Sequence, residues 1–394
     1  MMRAFSARLF VVMFCAGLSR LALADGTAPD LGQARTLGRQ LETAVQKGDG
    51  AAAGALFDID GLIDRSTAGV TAPQQLATSF RQGLKMVPSL PKQLALTAKG
   101  GNYRFLRARQ VGGESRVLFR LFPPQGGVNY HDWVVGADGQ GQLKLVDVYV
   151  ATTGELMSQT LRRAYVMVAA HANPTLLERL TGRERDFINN LKTVAQLAGN
   201  LRANNWKGVL DAYATLPKSL QEDKSCMLMR LTAAEHLRKE RHGEYESAMA
   251  DFARHFPGDP CLDMVCLDGL IEQKQFDQAR QSLDRLKTFT GGDPYLGVLR
   301  GNIDMDEGGP ANFKAARNEF ETAKIVEPTL AKAYWALVTL DLKTNDYDKA
   351  AAELTEIERT LHIPVGPLEG KPLYAGFVQS EAYKKWKAAQ GGGK

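Results

Sequence analysis

The stretch AKAYWALVTLDLKTNDYDKAAAEL, residues 331–354, contains two apolar-patterned runs on either side of the polar turn TNDY. In each run the apolar residues recur every three to four positions, which is the spacing of one face of an α-helix. Leu337 and Leu340 share such a face in the first run, and Tyr347, Ala350 and Leu354 share one in the second. The stretch therefore predicts a helical hairpin.

The pattern of the second run recurs upstream as an aromatic residue, an alanine three positions later and a large apolar residue four positions after that. Pro260, Pro294 and Pro328 follow copies of it at intervals of 34 residues. We expect each proline to end the second helix of a pair, because its ring and its missing N–H prevent continuation. The residues predicted to pack the helices together are Trp206, Tyr245, Ala248, Phe252, Phe276, Ala279, Phe313, Ala316, Phe320, Pro328, Tyr347 and Ala350.

One such hairpin cannot bury both of its faces, so the hairpins are expected to stack. Residues 186–362 resemble tetratricopeptide (TPR) repeats, as about five helical pairs, with the best copies at 297–328 and 331–358. The resemblance implies an all-α solenoid with a groove for a protein or peptide. The alternative is an ordinary helical bundle. Residues 363–394 are expected to provide a capping helix, Phe377–Ala389, and a disordered tail.

The first 24 residues have the order of a secretory signal peptide. Arg3 and Arg8 precede the apolar run Leu9–Leu18, and Ala22 and Ala24 form a small-x-small cleavage signal. The run is too short to span a bilayer. We therefore expect a secreted, periplasmic protein without a transmembrane span after signal removal; the alternative is an uncleaved anchor.

The net charge gives little reason to expect a nucleic-acid partner. It is +5 for the whole chain, but removal of residues 1–24 leaves 46 basic and 44 acidic residues. So small an excess does not favour binding to nucleic acid or to an acidic membrane surface.

Residues 25–150 predict an α+β domain, and residues 151–185 a helical linker. Helical patterns cover Leu31–Val45, Leu56–Ile63 and a segment with Thr71 as its cap and Leu76, Phe80, Leu84 and Val87 on its buried face. After Pro88 the period changes to two. The predicted strands are Gln93–Ala98, Tyr103–Gln110, Ser115–Phe122, Val128–Val135 and Gln142–Val150, joined by short glycine-containing turns that imply a curved antiparallel sheet.

This order of elements resembles the NTF2-like cone. The segment NYHDWVVGADGQGQLKLVDVYVATTGELMSQTLRR, residues 129–163, is also similar to the end of MlaC-type periplasmic lipid-carrier domains. The resemblance implies a pocket between helices and sheet, with Tyr103, Asp132, Asp147 and Tyr149 as candidate pocket residues. Strand alternation places His131 and Asp132 on opposite faces, so the two do not form a dyad.

The sequence favours no cofactor and no metal site. Asp58, Asp60 and Asp64 are not followed by a calcium loop, and capping or a salt bridge with Arg65 is expected instead. Phosphate-binding loops and nucleophile elbows are absent.

Residues 25–394 contain three cysteines, Cys226, Cys261 and Cys266. Cys226 and Cys261 lie near the starts of the first helices of consecutive pairs, so we predict a disulfide between them, with Cys226–Cys266 as the alternative.

Three functions follow from these patterns. The first is a non-enzymatic scaffold that binds a protein or peptide of the cell envelope in the helical groove. The second is carriage of a lipid or another apolar ligand in residues 30–150, in a cavity lined by residues such as Phe57, Phe80, Phe105 and Phe119. The third is an NTF2-like isomerase or hydrolase that uses Asp132 and Asp147.

Overall fold

The computed structural model describes residues 29–98, 102–123, 126–172, 180 and 182–391. The predicted signal peptide, the glycine-containing turn predicted at Gly100 and Gly101 and the predicted disordered tail after Gly391 lie outside these residues. The chain divides between Cys266 and Leu267 into two compact units. The first holds a five-stranded antiparallel sheet with helices, and an all-helical region follows the sheet, as the sequence predicted.

The strands of the sheet follow one another in chain order, each antiparallel to its neighbour. They are β1 (Tyr103–Val111), β2 (Glu114–Leu121), β3 (Asn129–Ala137), β4 (Leu143–Val150) and the two-residue β5 (Glu155–Leu156). The first predicted strand, Gln93–Ala98, is wrong, since it lies in a helix, Leu90–Thr97. Leu94, Ala95 and Ala98 are buried there, and their spacing is that of one helix face. A short apolar run alone does not distinguish a helix from a strand.

The described residues up to Ala172 form six helices besides the sheet. α1 crosses it closely, because a Cβ at Gly38 would lie 2.6 Å from the Phe105 ring. The core between α1, α5 and one sheet face is filled by side chains such as Leu41, Leu94 and Phe119, each worth roughly 1.5–3 kcal/mol when fully buried. The helices are α1 (Leu31–Lys47), α2 (Gly50–Ala55), α3 (Ile59–Thr67), α4 (Gln74–Met86), α5 (Leu90–Thr97) and α6 (Met157–Ala172).

Helix α4 differs from its prediction. None of its residues is buried, and Val87, predicted on the buried face, is 57% exposed. The helix begins after Pro73, without a side-chain cap from Thr71. It is held at the surface by ion pairs of Arg81 with Asp60 and Asp64. These two aspartates therefore pair with Arg81 and not, as the sequence had predicted, with Arg65.

The region after residue 181 is helical throughout, apart from its loops. Its longer helices follow one another as antiparallel-type hairpins with short connections. The helices are α7 (Gly182–Asn189), α8 (Leu191–Arg202), α9 (Trp206–Ala214), α10 (Lys218–Gln221), α11 (Lys224–His236), α12 (Glu244–His255), α13 (Pro260–Glu272), α14 (Phe276–Thr290), α15 (Pro294–Glu307), α16 (Pro310–Val326), α17 (Ala331–Lys343), α18 (Tyr347–Glu356), α19 (Ala375–Val378) and α20 (Glu381–Gly391).

Three of these hairpins share one turn geometry. Asn204, Lys274 and Asn345 each adopt a left-handed φ of 55° to 57°, two residues before the aromatic residue that begins the next helix. The residue after each donates its N–H to a carbonyl five positions back, at 2.8, 2.9 and 2.8 Å. This is the hydrogen bond with which a Schellman motif closes a helix.

The prolines act differently from the prediction. Pro260 and Pro294 are the first residues of α13 and α15 and do not end the helices before them. A proline fits this position because its missing N–H would have no partner in the first turn. The preceding helix α14 ends instead at Gly291, whose φ is 77°. Pro328 is exposed in the loop after α16, where its carbonyl accepts a hydrogen bond from the Tyr334 hydroxyl.

Within the second unit, buried ion pairs join successive hairpins at equivalent positions. Arg280 on α14 donates to Asp304 on α15, and Arg317 on α16 donates to Asp341 on α17. The two arginines are 37 residues apart, and so are the two aspartates. The second helix of each pair is thus tied to the first helix of the next pair in the same way.

Two further contacts join helices of successive hairpins. Lys343 on α17 donates to the carbonyl of Met305 on α15 at 2.6 Å, so that first helices lie side by side. Lys324 on α16 reaches Glu353 on α18 at 3.0 Å, which joins second helices. The second unit therefore has a regular step from one hairpin to the next.

The end of the second unit is covered by α19 and α20. Phe377, Tyr383 and Trp386 are buried against α17 and α18, together with Tyr334 and Leu354. The predicted single helix is interrupted at Gln379 and Ser380, where the Ser380 hydroxyl accepts a hydrogen bond from the Tyr383 N–H at 3.2 Å. Aromatic side chains thus close the stack.

A small residue on α15 allows the closest of these approaches. A Cβ at Gly301 would overlap the ring of Phe320 on α16. Gly301→Ala should therefore lower the free energy of unfolding by about 1–3 kcal/mol through overpacking. The matched control is Gly199→Ala on α8, where the space is open; it should raise the free energy by about 0.5–1 kcal/mol through helix propensity. Urea denaturation measures both, and an equal response of the two variants would contradict the assigned packing.

Candidate functional site

The four predicted pocket residues lie on opposite faces of the sheet. Tyr103 belongs to the apolar core under α1. Asp132 and Tyr149 are directly opposite each other on β3 and β4, and Asp147 pairs with Val134 on the same face, away from that core. The structure therefore does not bring Tyr103 together with the other three.

On the core side, Tyr103 belongs to a buried polar triad. Its hydroxyl accepts a hydrogen bond from Trp133 Nε1 at 2.6 Å and lies 3.3 Å from His131 Nδ1. Because the indole can only donate, the tyrosine proton is available for a hydrogen bond to an unprotonated Nδ1. Burial lowers the pKa of His131 to about 4, so this histidine is neutral at pH 7.

On the other face, Asp147 is wholly buried and fully engaged. Its carboxylate accepts hydrogen bonds from the hydroxyl and the N–H of Ser158, in the first turn of α6, and from Arg65 Nε at 3.3 Å. Burial raises the pKa of Asp147, and the Ser158 hydrogen bond and the Arg65 charge oppose the rise. The geometry is that of a helix-terminus anchor.

Asp132 on β3 is paired with arginines of β1 and β2. Arg109 donates to its Oδ2 at 2.7 Å, and Arg116 lies 3.7 Å from the same oxygen. Among the described residues, no group donates a hydrogen bond to the buried Oδ1. This oxygen is therefore the one position on these carboxylates that could accept a hydrogen bond from a further donor.

Tyr149 joins the sheet to the helices that follow it. Its hydroxyl donates to Asp259 at 2.7 Å, and Lys224 pairs with the other oxygen of that carboxylate. Lys224 also donates to the carbonyl of Gly154 at 2.6 Å, where a Cβ would lie 3.0 Å from Cys261 Sγ. The cluster contains reactive residue types, but each is held by its neighbours, as in a structural junction.

The predicted disulfide between Cys226 and Cys261 is not formed. Cys226, Cys261 and Cys266 are buried thiols that form no disulfide. The Cys261 thiol is directed at the carbonyl of Thr152, at 3.7 Å, instead of at another cysteine. Burial raises the pKa of Cys261 well above its usual value and that of Cys266 to about 12. Both thiols are thus protonated and poorly nucleophilic.

The phenylalanines proposed to line an apolar cavity do not surround one space. Phe105 and Phe119 pack edge to face with ring centroids 5.5 Å apart, and Phe57 contacts Trp133 at 5.9 Å. Phe80 packs instead on Tyr165 of α6, at 4.8 Å. In the described residues these rings therefore pack against other side chains and do not line one common cavity.

An open groove lies on the second unit, between the second helices α14 and α16 and over the first helix α15. Its walls are partly apolar, and Val326 at its rim is 62% exposed. Gly297 of α15 lies along its floor beside Glu319 of α16. The apolar lining comes from Leu283, Pro294, Leu296, Ala323 and Val326, and the charged lining from Lys287, Asp293, Arg300 and Glu319.

The arginines that pair with the sheet carboxylates and the glycines along the groove were not predicted as site residues. Arg109 and Arg116 are signalled by their alternation with apolar residues in RFLRARQ and SRVLFRL, which places them on one sheet face. Gly297 and Gly301, four apart on one helix, signal a close approach on α15. Lys224 and Asp259 gave no signal, because their partners are far away in the sequence.

Within the described residues, no group of three or more His, Cys, Asp or Glu side chains could hold a metal ion. The helices of the described ranges include none with the length and the hydropathy that crossing a membrane requires. Comparisons with protein-family models, with curated proteins and with solved structures find no match.

The buried histidine predicts an acid-dependent loss of stability. The unfolded chain takes up a proton near pH 6.5, whereas His131 in the folded chain takes it up only near pH 4. Stability therefore falls as the pH falls from 6.5 to 4, by about 3 kcal/mol. His131→Gln should remove this part of the pH dependence in urea denaturation at pH 7 and pH 4.5. The exposed His242→Gln should retain it, and an unchanged slope in His131→Gln would contradict the assignment.

The anchor of α6 gives a second prediction for the first unit. Asp147→Ala leaves the Ser158 N–H and Arg65 without their buried acceptor, so the free energy of unfolding should fall by about 2–4 kcal/mol. Asp277→Ala, at a side chain that is 94% exposed, should change it by less than about 0.5 kcal/mol. Circular dichroism in urea compares the two variants, and equal values would refute the anchoring role.

Proposed function

We propose that this protein is a secreted, periplasmic scaffold without enzymatic activity or cofactor, which binds a protein or peptide of the cell envelope. In this proposal the helical region is TPR-like and supplies the binding groove. The domain of residues 25–150 is NTF2-like and serves as an accessory surface. The signal-peptide pattern of residues 1–24 supports the location.

The observation that carries the proposal is the regular step between hairpins in the second unit. The equivalent pairs Arg280–Asp304 and Arg317–Asp341 hold successive hairpins in one register. A solenoid built in this way presents extended grooves between its helices, and such grooves are a common form of peptide-binding surface.

The groove over α15 has the mixed character of such a surface. Leu283 and Leu296 are buried in its walls, whereas Val326 and the neighbouring Ile325 are 62% and 77% exposed. Large exposed aliphatic side chains beside a groove favour a partner that covers them. The carboxylates of the first unit, by contrast, are occupied by arginines and by Ser158, which does not favour acid–base chemistry there.

A site-specific crosslinker tests the proposal. A photoreactive amino acid at Thr322, which is exposed and lines the groove, should form an adduct with one envelope protein in intact cells. The same amino acid at Asp348, exposed on α18 outside the groove, should not. Absence of a protein adduct at Thr322 would refute the scaffold function.

A further inference from the structure

Glu319 is the carboxylate in the groove whose partner is missing. Its side chain is half-buried, and among the described residues no side chain forms an ion pair or hydrogen bond with it. Arg300, the nearest cation on the floor helix, is paired with Asp284. Lys287 is exposed at the opposite wall, on α14. Burial raises the pKa of Glu319, although Arg300 and Lys287 oppose the rise.

Three other buried or half-buried acids of the second unit are matched by cations. Asp304 and Asp341 are paired with Arg280 and Arg317, and Glu353 is paired with Lys324. A charge removed from water is costly unless a counter-charge meets it. Glu319 differs from these acids because its carboxylate borders an open groove.

The floor of the groove keeps this carboxylate accessible. A Cβ at Gly297 would lie 3.0 Å from Glu319 Oε2, so that any side chain there would press on the carboxylate. Around it, Leu283, Leu296 and Ala323 give the groove apolar walls. A long aliphatic stem that ends in a cation matches both features, because the stem packs on the walls and the charged end reaches the carboxylate.

We propose that the groove receives a partner segment through a lysine or arginine side chain that pairs with Glu319, with an apolar residue next to it in the segment covering Val326. This inference rests on the proposed scaffold function and specifies the chemistry of the partner. Charge complementarity at Glu319 selects a basic segment over an acidic one, since an acidic side chain there would meet a carboxylate with no counter-charge of its own.

The test uses random peptides displayed on phage as the probe and the purified full chain as the target. The peptides enriched by the wild-type protein should share a lysine or arginine beside an apolar residue. A synthetic peptide from this pool should bind Glu319→Gln about tenfold more weakly or worse, because a charge-assisted hydrogen bond is lost. The control variant Asp306→Asn, at an exposed position near the end of α15, should bind as the wild type does.

A second measurement keeps the test valid if Glu319→Gln folds poorly. Replacement of the basic residue in the peptide by norleucine should weaken binding to the wild-type protein by the same factor. The two changes together should weaken it no further, as in a double-mutant cycle for one contact.

The outcomes separate the inference from the proposed function. The ion pair would be refuted if the enriched peptides lack a basic residue. It would also be refuted if they bind Glu319→Gln as tightly as the wild type while Gly297→Leu abolishes their binding. In both cases the groove would remain a binding site. If no peptide is enriched and Thr322 captures no protein, the inference and the scaffold function fall together.

Discussion

A hairpin of two amphipathic helices leaves one apolar face uncovered, and the second unit is built around the need to cover it. Phe320 on α16 is buried within its own hairpin, against Gly301 of α15, whereas Arg317 on the same helix meets Asp341 of the next hairpin. The hairpins have to stack in one register, and the Arg280–Asp304 and Arg317–Asp341 pairs fix that register. A misaligned stack would leave Asp304 and Asp341 buried without counter-charges, which costs several kcal/mol for each ion.

The first unit also has an apolar face to cover, and it covers this face by packing helices on a sheet. One face of its sheet is covered by α1 and α5 and is mainly apolar, with the triad of Tyr103, Trp133 and His131 within it. The opposite face carries carboxylates that are paired, Asp132 with Arg109 and Asp147 with Arg65 and Ser158. Because the carboxylates are used to hold strands and helices together, their presence on a sheet is by itself a weak indication of catalysis.

How much of this could be predicted depends on the distance along the chain over which each feature is encoded. The hairpin of residues 331–354 and strands β1 to β4 follow from patterns within ten residues, and they were predicted. The prediction of a strand over Gln93–Ala98 is wrong because so short an apolar run fits a strand and a helix equally well. Only its packing under α1 decides between the two. The pairing of Asp147 with Ser158, or of Tyr149 with Asp259, depends on how the elements dock, which no local pattern encodes.

The same distinction separates the structural charges of the second unit from the groove charge. Periodicity predicted that Phe313, Ala316 and Phe320 share a helix face, but it does not tell which acids near that face are neutralised from within. Arg317 lies four residues after Phe313 and forms an ion pair with Asp341, so that each of these two charges has its partner within the protein. Glu319 projects from the same helix α16 and meets Gly297, a residue with no side chain to offer. The difference between a stabilising acid and a binding acid thus lies in the residue that the neighbouring helix places against it.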